Sequence, residues 1–189
     1  MPVAEAVAHG AATVVNAIST GRGAAVGVDL WTVARVELNA DPGEVSASIH
    51  GKPSEADDLV VTVVRNVLKR HGAGRKYGAH VETRSNIPIA RGMKSSSVAA
   101  NAVALATTAA LGKQVLDKEI LEDGVEAAIT SGVTVTGAFD DACASYYGGL
   151  VVTDNKKRRI LRKKRILEEY CVLFHVPSEK SYTANVDLQ

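Results

Sequence analysis

A chain of 189 residues with 46% hydrophobic content is long enough to bury one substantial core, and its composition is not that of a disordered polymer. A formal net charge of only +1 gives the surface as a whole no attraction for nucleic acid or an anionic membrane. The two cysteines, Cys143 and Cys171, stand far apart in apolar contexts and fit reduced, buried thiols rather than a disulfide framework or a metal site.

The N-terminus has Glu5 and His9 where an export signal would place basic residues and then a leucine-rich run, so a cytoplasmic protein is expected. From Val3 to Ile18 the chain is apolar and reads as a strand. Ala24 to Leu30 and Thr32 to Leu38 are β-branched and alternating. The turn residues from Asn39 to Gly43 then lead into another alternating run, Glu44 to His50, which predicts a hairpin. Ser54 and Asp57 resemble a capping box, and Leu59, Val60, Val63, Val64, Val67 and Leu68 fall on one helical face before Gly72. Ala79 to Arg84 reads as a short strand.

The stretch from Ile87 to Leu105, IPIARGMKSSSVAANAVAL, joins a loop to a helix. Pro88 disfavours helix at the residue before it, and Gly92 lets backbone approach a ligand. Ser95 to Ser97 supply cap-type hydroxyls ahead of an alanine-rich run. The first turn of such a helix has amides without internal partners at the positive end of the dipole, and Lys94 adds a full charge beside them. The arrangement suits an anion, although an ordinary serine-capped core helix has the same pattern. The spacing of Gly92 and Lys94 does not meet the Walker A pattern. No charge occurs between Lys94 and Lys113, but the alanine, serine and threonine content fits a buried helix better than a membrane span.

Gly112 ends this helix, and Asp117 opens another with Ile120, Leu121, Val125 and Ile129 on one stripe. In Thr136 to Asp154, TGAFDDACASYYGGLVVTD, two adjacent aspartates precede a small-residue segment, a glycine pair and a valine-rich strand. Asp140 reads as a helix N-cap, with Asp141 in the first turn. Lys156 to Arg165 carries eight of the 22 basic residues and no acid. It reads as a solvated turn between two strands, because no aromatic residue interleaves the charges as base stacking would need. Tyr170 to Pro177 reads as a further strand.

Pro88-Ile-Ala-Arg-Gly92-Met93-Lys94-Ser95-Ser96 is similar to the phosphate loop of the GHMP kinase superfamily, Pro-x-x-x-Gly-Leu-x-Ser-Ser. These are the small-molecule kinases of galactose, homoserine, mevalonate and phosphomevalonate. The wording RGMKSSSVAANAV, with TGAFDDACAS, GGLVVTDN and the early VNAI and GAAVGVDL, resembles the archaeal-type shikimate kinase branch. The resemblance implies an α+β fold, the two-layer GHMP kinase N-terminal domain of the ribosomal protein S5 domain 2-like kind. Residues 1–165 would form that ATP-binding domain and 166–189 the start of a C-terminal domain, whose Gly-rich motif has no match after Val176.

It further implies ATP and Mg2+, with ATP held by Pro88, Arg91, Gly92, Met93, Lys94, Ser95, Ser96 and Ser97 and the metal by Ser96 and Glu126. Asp141 would be the catalytic base, Lys94 would stabilise the transferring group, and Asp140 and Asp141 would meet the substrate. The expected partners are ATP and shikimate, giving shikimate 3-phosphate in chorismate biosynthesis, with no nucleic acid and no membrane. An arginine is wanted for the substrate carboxylate, and Arg22, Arg35 and Arg84 all qualify. Another GHMP kinase such as homoserine kinase, an inactive fragment, and a nucleic-acid-binding module using the basic run are the alternatives.

Overall fold

Alternating apolar residues over the first 39 positions build two long antiparallel strands, β1 (Val3–Val15) and β2 (Arg22–Asn39). The protein is described here by a computed structural model covering residues 1–50, 58–88, 94–134, 136–167 and 169–174. The two runs expected on either side of Trp31 are one strand. The register steps from His9 opposite Trp31 to Gly10 opposite Val28, so Asp29 and Leu30 have no counterpart on β1. Such a bulge shifts the alternation mid-strand, which is why one strand reads as two.

The expected hairpin is not formed. The turn itself is present, with Asn39 Oδ1 accepting the Asp41 amide and the Asp41 carbonyl accepting the Glu44 amide. However, β3 (Val45–Ile49) pairs in parallel with β4 (Gly78–Ser85), and β4 lies between it and β2. Between β3 and β4 runs α1 (Asp58–Arg70), a crossover long enough for a parallel connection. Its buried residues are the six of the apolar stripe. Ser54 and Asp57 lie outside the described residues.

Three further helices follow, α2 (Ser95–Ala110), α3 (Asp117–Thr130) and α4 (Phe139–Tyr147), and then β5 (Leu150–Asp154) and β6 (Arg159–Lys164). Strand β5 pairs with Arg22–Val26 at the start of β2, and β4 pairs with Thr32–Asn39 at its end. Strand β2 is thus a spine, with β1 along one edge and two separate wings, β4–β3 and β5–β6, on the other.

Alternation decides the layers. Ala34, Val36 and Leu38 face the helices and are fully buried with Val63, Val64, Val67, Val98 and Val103, while Val33, Arg35 and Glu37 lie on the other face. Burying a valine-sized side chain contributes about 1.5–3 kcal/mol, so this layer of valines dominates the stability. On α3, Ile120, Leu121 and Val125 are buried, but Ile129 is 41% exposed at the helix end.

The basic run is more than a turn, since its second half is β6 at the edge of the sheet. Charges on an edge strand oppose pairing with another chain. Within the run, Arg158 pairs with Glu126 and the Lys163 ammonium lies 3.9 Å from the centre of the Tyr147 ring. Residues 170–174 are not strand, and 175–177 lie outside the described residues. Cys143 is buried, but Cys171 is exposed, contrary to expectation. Among the described residues no helix is long and apolar enough to cross a membrane.

Candidate active site

Helices α2 and α4 begin beside one another under β1. Neither has a side-chain cap, and each is preceded by a residue in the left-handed region: Lys94 (φ 59°, ψ 27°) before α2 and Ala138 (φ 47°, ψ 44°) before α4. Left-handed backbone costs a non-glycine residue roughly 1–2 kcal/mol, so both turns are held by their surroundings. Two expectations are corrected here. Ser95, Ser96 and Ser97 lie inside the first turn of α2 rather than capping it, and Asp140 is inside α4, whose N-cap is Ala138. The first-turn amides of both helices have no acceptors within their own helix, and both dipoles present their positive ends here.

Into this corner α4 projects Asp141, which is 3% exposed. Lys94 Nζ lies 3.1 Å from its Oδ2, and Thr13 of β1 donates to its Oδ1 at 3.2 Å. Burial pushes the Asp141 carboxyl up to about 6. The Lys94 ammonium opposes the shift, the neighbouring Asp140 adds to it, and the Lys94 and Thr13 hydrogen bonds hold it down. The result is a carboxylate ionised at neutral pH and still basic enough to accept a proton.

The cleft in front of the pair is lined by Thr13, Asn16, Ala17, Ile18, Thr134, Thr136 and Ala138 as well as Lys94, Asp140 and Asp141. Lys94, Asp140 and Asp141 are therefore brought together, and Ser95, Ser96 and Ser97 follow directly on α2. Pro88 is described, but Arg91, Gly92 and Met93 lie outside the described residues. Glu126 does not line this cleft. It accepts from Arg158 Nη2 at 2.6 Å.

None of the three arginines reaches the cleft. Arg35 pairs with Glu37 and Glu82 on the open sheet face, and Arg84 lies over the Trp31 ring. Gly23 faces Asp140, so its neighbour Arg22 points to the opposite face of β2.

Several residues that build the corner have no mark in the sequence reading. Asn101 of α2 is fully buried and donates to the Ala142 carbonyl at 2.9 Å, which fixes α2 against α4 one residue beyond Asp141. Gly27 lets the end of α4 approach β2, because a Cβ there would meet Gly148 Cα at 2.8 Å. The only available signals were a polar residue inside an alanine-rich helix and a glycine inside a strand.

Residues 58–149 match the model of the GHMP kinases N terminal domain. The chain is 47% identical over 180 residues to the shikimate kinase of Pyrococcus abyssi, covering 95% of this chain and 65% of that protein. It is 44% identical over 184 residues to the shikimate kinase of Methanosarcina mazei, covering 97% and 61%. In fold it is similar to homoserine kinase from Cytophaga hutchinsonii, with a TM-score of 0.71, 19% identity, and 86% of this chain and 52% of that one covered. Mevalonate kinase from Methanococcus jannaschii gives a TM-score of 0.68 at 16% identity, covering 88% and 56%. The chain thus spans less than two thirds of the length of these shikimate kinases and about half that of the solved kinases. A two-layer α+β domain, a matching family model and this identity along nearly the whole chain lead to one conclusion: the chain belongs to the GHMP kinases and carries their N-terminal domain.

Proposed function

We propose that this chain is the nucleotide-binding part of a kinase that transfers the γ-phosphate of ATP to a hydroxyl of shikimate. The observation that carries the reading is the Lys94–Asp141 pair, set where two uncapped helix N-termini meet. In this reading residues 1–165 form the ATP-binding domain and 166–189 begin the next one. The loop from Pro88 through Arg91, Gly92 and Met93 to Ser97 receives the phosphates.

Phosphoryl transfer asks mainly for positioning and for neutralisation of spread charge. Amides of the first turn of α2 bind phosphate oxygens, and Lys94 turns its ammonium from Asp141 toward the group in transit. Once Lys94 turns away, Asp141 has lost the cation that held its proton affinity down. It then takes the proton of the attacking hydroxyl at Oδ2. General-base help of this kind is worth about 10²–10⁴ in rate.

Magnesium commonly uses one or two protein ligands with substrate phosphates, so a cluster of three acidic side chains is not required. Ser96, half-buried in the first turn of α2, fits such a role. Glu126 fits it less well, because its carboxylate is engaged by Arg158. Bound there, the ion would neutralise phosphate charge.

The test is an ADP-release assay against a panel of shikimate, homoserine, mevalonate and galactose, run on this chain and on one extended past Gln189. ADP release with shikimate alone is expected from the extended chain. Release with another alcohol and none with shikimate would discard the assignment.

A further inference from the structure

Behind the Lys94–Asp141 pair lies a row of buried polar groups that the steps above do not use. Thr153 of β5 donates through Oγ1 to Asn155 Oδ1 at 2.6 Å, and Asn155 Nδ2 donates to Asp140 Oδ1 at 2.8 Å. All three are at most 5% exposed. A carboxylate only accepts, so it takes the Asn155 nitrogen and leaves the amide oxygen to the Thr153 hydroxyl. Asn155 is itself anchored, its backbone amide donating to the Gly21 carbonyl at 2.8 Å. The other oxygen of Asp140 lies against Gly23, where any Cβ would collide with it. Asp140 is therefore held through Oδ1 and packed closely against Gly23.

We infer that Asn155 is a positioning residue for the proposed reaction: by holding Asp140 in place it keeps a second negative charge beside Asp141 and leaves Lys94 to Asp141 alone. The inference rests on the kinase reading for its catalytic meaning, but not for its physics. A neighbouring like charge favours the protonated form of a carboxylate. A buried carboxylate deprived of its donor takes up a proton rather than remain charged. Among the described residues, the groups facing Asp141 are Lys94 at the start of α2, Thr13 from β1 and Asp140 on its own helix. β2 and β5 contribute the neutral Gly23 and Thr153, and α3 packs through Leu121 and Val125. Removing the Asn155 amide thus releases Asp140 from its fixed place beside Asp141 and makes Asp141 more acidic.

The experiment follows the side-chain carboxyl carbon of Asp141 by NMR titration in aspartate-labelled chain, with assignment from Asp141→Asn. Asn155→Leu and Asp140→Asn are each expected to lower the Asp141 midpoint by about one pH unit or more, as loss of an adjacent charge does. The double variant should fall no further than Asp140→Asn alone. An unmoved midpoint in folded Asn155→Leu, or shifts that add in the double variant, would overturn the assignment.

Should Asn155→Leu lose its circular dichroism, Thr153→Val removes the donor that steadies the amide oxygen and is expected to give a smaller shift of the same sign. An unmoved midpoint there overturns the assignment equally. None of these readouts needs turnover, so failure of the kinase reading is seen separately as absence of shikimate-dependent ADP release. With turnover present, the acid limb of kcat moves with the midpoint while KM for shikimate holds.

Discussion

Asp141 is placed where a carboxylate is expensive and useful at once. Its proton leaves near pH 6 in the folded chain against 3.8 in an unfolded one, so between those values the folded state holds the proton more tightly. The stability this gives is complete below about pH 4 and is lost as the pH rises through 6. At neutral pH the ionised group therefore costs the fold on the order of 3 kcal/mol. Asp141→Asn should gain in melting temperature over the parent on going from pH 4.5 to pH 8. Equal differences at the two pH values would refute the burial argument. In an extended chain that shows the proposed activity, the same change should lower kcat by about 10²–10⁴ with ATP affinity retained, and parent-like turnover would remove Asp141 as the proposed base.

The thiols offer a plainer check at the same scale. Burial pushes Cys143 up to about 12, whereas Cys171 is exposed. A thiol reagent at pH 8 is expected to modify one cysteine in the native chain and the second only in denaturant. Lys94 stood out beside the serines of the loop, and Asp141 was singled out by the family resemblance. Thr13, Asn155 and Gly23 were not, because hydrogen bonds across 128 and 15 positions and a missing Cβ leave no local pattern.

Among the elements, α1 was the most readable, because six apolar residues at helical spacing admit no other use. The starts of α2 and α4 were read as ordinary caps, since serine and aspartate usually do that work. The chain instead places a left-handed residue before each helix, and the serines and aspartates lie within the first turns. Pairing of the strands was harder still. Alternation marks a strand but not its neighbour, and the helix between β3 and β4 was the clue to a parallel pair.

One contact between helices carries a sharp expectation. Arg70 of α1 donates from Nε to both oxygens of Asp123 on α3, at 2.9 and 3.1 Å, and Asp123 is 5% exposed. Arg70→Leu leaves that carboxylate buried without its partner and should cost about 3 kcal/mol, read as a lower urea midpoint. A change under about 0.5 kcal/mol would place the pair among surface bridges of little weight.

For the molecule as a whole, composition gave a chain able to bury a core, and the resemblance gave both the α+β class and its two layers. The basic run is where local reading and overall architecture diverged most. As sequence it is a block of charge, whereas in the fold it is a turn, whose Arg158 pairs with Glu126, and an edge strand, whose Lys163 lies over the Tyr147 ring. Its anchoring differs from that of the opposite wing. Strand β5 holds to β2 through five residue pairs, Arg22–Asp154 to Val26–Leu150, while β4 holds through eight. Amides of Val151 and Val152 should exchange with deuterium faster than those of Val81 and Thr83, and the reverse order would contradict a weaker attachment.

Asn155 rides at the tip of that lightly moored hairpin, with its amide pressed on the carboxylate next to the proposed base. Were that hairpin to lift, the tether on Asp140 would slacken, which would couple the proton affinity of Asp141 to how firmly a charged ribbon at the rim of the sheet is fastened down.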